Sequence, residues 1–264
     1  MVREYLLSRL GAKDIEDGLT VIESERRRRR EMSYGYVHMI WIAAFADGSI
    51  VASVPLNTSE AIKSLIRGNV ERKINVTDNA FISSLKALAD GEARRLFGQK
   101  SCRCFSDLMF ACDAATLAPA HPDVTPTRII DNRFACRDDI HFPGHCLPDG
   151  IVYGVVETDK IVSVAYAHQT GEYQDIIADI GVETSKRFRR RGYARACVNA
   201  VARHVIQNGG ESLYKCAPGN TASIHTALSA GYKPYGKSLI FSVHTVNDIR
   251  IIKIGRSRWK NNCS

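Results

Sequence analysis

The sequence predicts an α/β (α+β) protein in which a mixed central sheet is flanked by helices and preceded by a further N-terminal α/β domain. Three observations predict it. First, three strand-like runs follow one another after Gly150: Ile151 to Glu157, Ile161 to His168 and Tyr173 to Glu183. The turns between them, Thr158-Asp159-Lys160 and Thr170-Gly171, are short, and short loops imply an antiparallel meander. Second, Ala194, Cys197, Val198, Val201, Ala202, Val205 and Ile206 recur at the spacing of one helix face. Third, short strands and helices then alternate to the end of the readable pattern.

The later elements carry their own stop signals. Gly209-Gly210 closes the amphipathic helix, with Arg195, Asn199, Arg203 and His204 off its apolar stripe. Ser212 to Cys216 reads as a strand, Thr221 to Ala230 as a short helix halted by Gly231, and Ser238 to Val243 as another strand. Asp248 to Ile254 is expected to add one more.

The first half is less regular. Residues 14 to 31 are expected to be helical and include the run Arg26 to Arg30. Tyr36 to Phe45 and Ser49 to Val54 read as strands around Ala46-Asp47-Gly48-Ser49. Asn57 and Thr58 offer caps for a helix reaching Ile66 and closing near Gly68, and residues 78 to 97 read as one or two more helices. The turn-rich passage Pro119 to Pro126 is the expected boundary. It divides the chain into an N-terminal α/β domain, 1–120, and a second domain, 121–264. Phe142 to Gly150 is a further irregular passage.

Composition narrows the function classes. The chain has 264 residues and a formal charge of +8, which suits an anionic ligand and permits nucleic acid. No long apolar stretch follows the N-terminus, and the run Val37 to Ala46 is too short to span a bilayer, so a cytoplasmic protein without a membrane partner is expected. Eight cysteines without an export signal read as reduced thiols. Cys102, Cys104, Cys112, Cys136 and Cys146 with His141 and His145 lack the paired spacing of a zinc site, so no metal is expected. Cys197 falls on the apolar helix stripe and reads as packing.

The most specific chemistry lies between the third strand and the amphipathic helix. Val182-Glu183-Thr184-Ser185-Lys186-Arg187-Phe188-Arg189-Arg190-Arg191-Gly192-Tyr193-Ala194 opens a helix N-terminus with one glycine and several arginines. Backbone amides there converge with the positive end of the helix dipole, which is the chemistry of a phosphate site.

Arg189-Arg190-Arg191-Gly192-Tyr193-Ala194 resembles the coenzyme signature of the GNAT superfamily of acetyl-CoA-dependent N-acetyltransferases. Val182-Glu183-Thr184 upstream, and Asn220-Thr221-Ala222-Ser223-Ile224 and Ala230-Gly231-Tyr232 downstream, are similar to further blocks of that family in the same order. The resemblance spans about residues 150 to 243. It implies a GNAT-like sheet in which the strand at Ile180 to Thr184 splays from that at Ser212 to Cys216. It also implies acetyl-CoA as co-substrate, held by Val182, Thr184, Arg189, Arg190, Arg191, Gly192, Tyr193, Ala194, Asn220 and Ser223. Asn220 also reads as a helix cap.

The implied reaction is direct transfer of the acetyl group to a primary amine in a ternary complex, the Val182 amide facing the thioester oxygen. Glu183 and Asp179 are the candidate bases. For the acid, many relatives carry a tyrosine seven residues after the motif asparagine, a position held here by Ala227. Tyr232, at the aromatic position after Gly231 that is usually packing, is the candidate, with Tyr235 and His225 nearby as substitutes.

The implied partner is a small-molecule or peptide amine, and a homodimer stays open. Two rival readings stand beside the enzyme. One is a nucleic-acid-binding protein using Arg26 to Arg30, although an arginine run beside Glu23, Glu25 and Glu31 is the pattern of a solvated helix face, and no nucleic-acid motif accompanies it. The other is a coenzyme-binding sensor without catalysis.

Overall fold

The structure, a computed structural model, describes residues 1–13, 15, 18–29, 36–71, 75–141, 150–167, 176–177 and 180–244. The elements in chain order are α1 (Val2–Leu10), β1 (Leu19–Glu23), β2 (Tyr36–Phe45), β3 (Ile50–Val54), α2 (Glu60–Glu71), α3 (Asn79–Phe97) and β4 (Arg103–Cys112). There follow β5 (Thr127–Arg128), β6 (Ala135–Cys136), β7 (Ile151–Glu157), β8 (Lys160–Ala167), β9 (Ile176–Ile177) and β10 (Gly181–Thr184). The last are α4 (Tyr193–Gln207), β11 (Glu211–Cys216), α5 (Thr221–Ser229) and β12 (Lys233–His244).

The strands form two sheets. The larger has the order β1-β3-β2-β12-β4-β11-β9, and the smaller runs β10-β8-β7-β5, with β6 beside β8. Both mix parallel and antiparallel pairs. The expected boundary between residues 120 and 121 falls in the connection from β4 to β5. The segments on either side of it share the seven-stranded sheet, because β12 lies between β2 and β4, and β4 lies between β12 and β11.

Several local expectations hold because their signals are local. The β2–β3 turn is fixed by Asp47, whose carboxylate accepts from the Ser49 amide and hydroxyl. Asp78 caps α3 by accepting from the amides of Ala80 and Phe81, so residues 79–97 form one helix and not two. The β7–β8 turn places Thr158 and Asp159 at φ 50° and 58°, the left-handed geometry of a tight two-residue hairpin.

Other expectations need correcting. The stretch 14 to 31 is not one helix: Leu19–Glu23 is a strand paired in parallel with β3, and Glu25–Arg28 makes a single short 3-10 turn. Its β-branched Thr20, Val21 and Ile22 favour the sheet. Gly68 does not close α2, which runs on to Glu71. Strand β4 and helix α1 were not anticipated. The third strand is split into β9 and β10, and Tyr173 lies outside the described residues, as does the stretch from Asp248 to Ile254.

Packing follows the alternation of side chains. On one face of the large sheet, α2 and α3 cover Ile40, Ile42, Leu239 and Phe241, while α4 and α5 cover Phe110, Tyr214 and Cys216. On the opposite face α1 covers Trp41, Met109 and Ile240. Of the arginine run, Arg26, Arg28 and Arg29 are exposed as a solvated face requires, but Arg27 is not. It is 1% exposed, stacks its guanidinium 5.5 Å from the Trp41 ring centroid and donates to the His38 carbonyl. Arg28 donates to the Leu56 carbonyl at 2.6 Å.

Gly231 stands where two stretches of backbone pass close together. It has φ 103°, and a Cβ there would stand 2.3 Å from the Ala118 nitrogen and 2.4 Å from the Thr116 oxygen. Replacing Gly231 with alanine is expected to destabilise the protein by about 2 kcal/mol or more, since strain and a backbone clash coincide. A urea unfolding midpoint unchanged in Gly231→Ala would refute that reading.

Candidate functional site

The site begins where the two sheets part. The chain from Ile176 to Thr184 bonds at its start to β11, in parallel, and at its end to β8, antiparallel. Strand β9 thus belongs to the seven-stranded sheet with β11, and β10 to the other sheet. The register tells which backbone groups face the gap. The Ser185 amide donates to the Val162 carbonyl at 2.9 Å, and Thr184 sits opposite Ser163. In an antiparallel ladder the bonded pairs alternate, so residues 181, 183 and 185 point at β8 while Val182 and Thr184 point outward. Their amides and the Val182 carbonyl have no protein partner among the described residues, and the Thr184 carbonyl accepts from Arg189 Nε at 3.1 Å.

The side chains of β10 divide between two faces. Val182 packs into the core under α4, and the Thr184 hydroxyl is 2.8 Å from that of Ser163. Glu183 projects to the opposite side, where its carboxylate accepts from the His141 amide at 2.8 Å. Asp179, the other candidate base, lies outside the described residues.

The turn that follows is built to expose amides. Ser185 is buried, Lys186–Phe188 forms a short 3-10 turn, and the Lys186 amide is held by the Asp139 carboxylate at 2.8 Å. Arg190 and Gly192 both take left-handed conformations, with φ 63° and 80°. Gly192 is the N-cap of α4 and supplies no side-chain cap. The first bond into the helix runs from the Ala196 amide to the Gly192 carbonyl. Thus the amides from Arg189 to Arg195 are unpaired among the described residues, which is what an anion at a helix start requires.

Glycine is needed at 192 twice over. The backbone angle disfavours a side chain, and a Cβ would stand 2.3 Å from His121 Nε2. Arg189, Arg190 and Arg191 are exposed around the turn, and Arg191 lies 5.1 Å from the Phe188 ring centroid. The Tyr193 hydroxyl donates to the Glu157 carboxylate, tying the start of α4 to the end of β7 and raising the phenol's pKa. Ala194 is half-buried at the helix start. An arm of mixed polarity carrying a pyrophosphate fits this arrangement, because unpaired amides and arginines lie at the turn and an unpaired strand edge adjoins it.

Of the remaining coenzyme candidates, Asn220 is a helix cap. Its side-chain oxygen accepts from the Ser223 amide at 3.1 Å and so satisfies the start of α5. Ser223 lies beside Tyr214, whose phenol is pushed up by burial and lowered in part by that hydroxyl.

The acid candidates separate by burial. Tyr232 needs correcting as a catalytic candidate: it is 0% exposed, its hydroxyl is 2.6 Å from Ser212 Oγ, and burial holds its pKa well above the usual phenol value. It is a core residue with no open face for a ligand. Tyr235 packs edge-on against Phe45 in the α1 core, away from β10. His225 is exposed on α5. Ala227, where a tyrosine was expected by analogy, is fully buried.

Among the described residues, no three His, Cys, Asp or Glu side chains stand together as a metal site, and no helix is long and apolar enough to cross a membrane. Sequence reasoning missed His121 at the turn and Asn199, which is 2% exposed although it lies off the apolar stripe. The missing signal was tertiary, since both depend on a segment far away in sequence.

Comparison with known proteins gives a family match over part of the chain. Residues 118–232 match the family described as "Acetyltransferase (GNAT) family". No curated protein sequence matches the chain significantly. Solved structures similar to it include a GNAT-family protein from Novosphingobium aromaticivorans, with 16% identity and a TM-score of 0.43 over 53% of this chain and 65% of that one. A GNAT-family acetyltransferase from Colwellia psychrerythraea has 16% identity and a TM-score of 0.42 over 53% and 57%. A GCN5-related N-acetyltransferase from Kribbella flavida has 14% identity and a TM-score of 0.42 over 61% and 73%. The chain thus spans less than two thirds of the length of the first two.

Three buried cysteines offer a test of packing: Cys197 and Cys216 in the core beside the gap, and Cys102 in the core under α2 and α3. Burial pushes Cys216 up to about 11, and Cys102 and Cys197 up to about 12. At pH 8 each is then thiolate to only about one part in a thousand or less. All three are expected to resist a thiol reagent in the native protein and to react on unfolding, as read by peptide mapping. Rapid labelling of Cys216 in the native protein would show that β11 is not packed as described.

Proposed function

We propose that this chain, whose residues 118–232 form a domain of the GNAT acetyltransferase family, transfers the acetyl group of acetyl-CoA to a primary amine by direct attack within a ternary complex. The observation that carries this reading is the junction of two unpaired backbone surfaces: the Val182 amide and carbonyl with the Thr184 amide, and the free amides from Arg189 to Arg195. A strand edge can accept the amide-bearing arm of the coenzyme as it would another strand. The turn can hold the pyrophosphate, with Gly192 allowing close approach and Arg189, Arg190 and Arg191 supplying charge.

The coenzyme supplies an activated acetyl group, and the chain's own residues set the conditions for its transfer. An amine with pKa near ~10 must shed a proton before it attacks. Glu183 is the proposed base, directly or through water, because it stands on β10 on the face opposite α4. Asp179 keeps its place as the alternative. The Val182 amide donates to the carbonyl oxygen as negative charge develops there. The departing thiolate needs little help, because a thiol with pKa near ~8.5 is a competent leaving group close to neutrality. Burial of Tyr232 and the presence of Ala227 are then compatible with turnover, and water or His225 delivers the last proton.

Residues 1–120 are proposed to shape the acceptor side. A mostly apolar cavity of about 530 Å³ lies where the two halves meet. Ala44, Phe45 and Val76 line it from the first half, and Ile224, Leu228 and Pro234 from the second. Within the run Arg26 to Arg30, Arg27 is buried against Trp41 and cannot meet a phosphate, which takes one cation from the nucleic-acid reading.

Calorimetry with acetyl-CoA on the wild type and Gly192→Glu tests the coenzyme assignment. A carboxylate at 192 is expected to lower affinity at least about a hundredfold, through repulsion and a blocked turn. Equal, tight binding by both proteins would sink it. A panel of amines assayed for free thiol release then separates enzyme from sensor: binding without turnover on any amine would favour the sensor.

A further inference from the structure

Residue His121 lies outside every motif, yet the fold delivers it to the phosphate turn. Its imidazole Nε2 stands 2.3 Å, and its Cδ2 2.8 Å, from the position a Cβ on Gly192 would occupy. The ring therefore lies directly against the Gly192 backbone, at the start of α4.

The placement is built, not incidental to a loop. The segment from Thr116 to Asp123 is anchored at Ala118, three residues before His121. The Ala118 amide donates to the Ala230 carbonyl at 3.2 Å. The Ala118 carbonyl in turn accepts from Asn199 Nδ2 at 2.8 Å and from Arg203 at 3.2 Å. Asn199 is 2% exposed and also reaches the Ala230 carbonyl, so it is a buried polar clamp that holds both stretches. Gly231 leaves room for the same passage.

The ring's tautomer is fixed as well. His121 Nδ1 accepts from the Asp123 amide at 3.2 Å. A neutral imidazole that accepts at Nδ1 carries its proton on Nε2. The nitrogen beside Gly192 is thus a donor, at a turn whose other donors are unpaired amides.

We propose that His121 is a further binding residue for the phosphate groups of the coenzyme, donating from Nε2 to an oxygen held at the Arg189–Arg195 turn. The proposal rests on the acetyl-CoA reading above and adds a donor from outside the motif. It also gives Asn199 and Arg203 a role as positioning residues, holding the segment that carries the imidazole.

The test is calorimetry with CoA on wild type, His121→Phe and His121→Gln. Phenylalanine fills the space without a donor, whereas glutamine keeps an N–H. A lost hydrogen bond to a charged phosphate is expected to weaken binding about tenfold or more in His121→Phe. His121→Gln should stay within about threefold of wild type. Wild-type affinity in His121→Phe would overturn the proposal, and so would equal losses in both variants, which would mark a packing role. Should phenylalanine fail to fold, His121→Ala takes its place under the same criteria. Failure of the wild type itself to bind CoA would instead remove the coenzyme reading on which the proposal stands.

Discussion

The structure turns on one divergence: a single run of chain, Ile176 to Thr184, bonds to β11 at one end and to β8 at the other. Backbone groups seldom go without partners inside a protein, because each costs free energy comparable to a lost hydrogen bond. Strand β10 leaves Val182 and Thr184 open toward the gap, and a few residues later α4 begins with no side-chain cap. Two neighbouring surfaces of unsatisfied donors and acceptors thus face the same region. A ligand with amides along its length and phosphates at its end, as proposed above, would complete both.

The rest of the fold holds that gap open. Helix α4 packs Cys197, Val198, Val201 and Ala202 against the sheets and so fixes the turn at its own N-terminus. The Tyr193–Glu157 bond ties the helix start to β7. Strand β12, between β2 and β4, joins both halves of the chain into one sheet. The first 120 residues are therefore structural neighbours of the site's scaffold, and they contribute one wall of the apolar cavity near α5.

Much of the site was legible in the sequence because its signals are local. Gly192 and the arginines before it sit next to one another, and the stripe from Ala194 to Ile206 is a helix pattern in a single window. Asn220 showed its cap for the same reason. What stayed hidden was whatever depends on distant partners. Strand β4 was missed because its place is set by β11 and β12, a hundred residues on. Arg27 read as solvated because nothing local announces the Trp41 ring. Tyr232 read as a catalytic group, yet its phenol is buried with Ser212. Asn199 meets the segment that carries His121 at the Ala118 carbonyl, far away in sequence.

The central claim is that the outward amides of Val182 and Thr184 are open in the free protein and are closed by the coenzyme. Residue-resolved amide hydrogen exchange, with and without acetyl-CoA, measures this directly. The account expects the amides of Val182 and Thr184 to exchange much faster than those of Gly181 and Glu183 when free, and to slow markedly once acetyl-CoA binds. Protection already present in the free protein, or exchange unaltered by saturating acetyl-CoA, would contradict it.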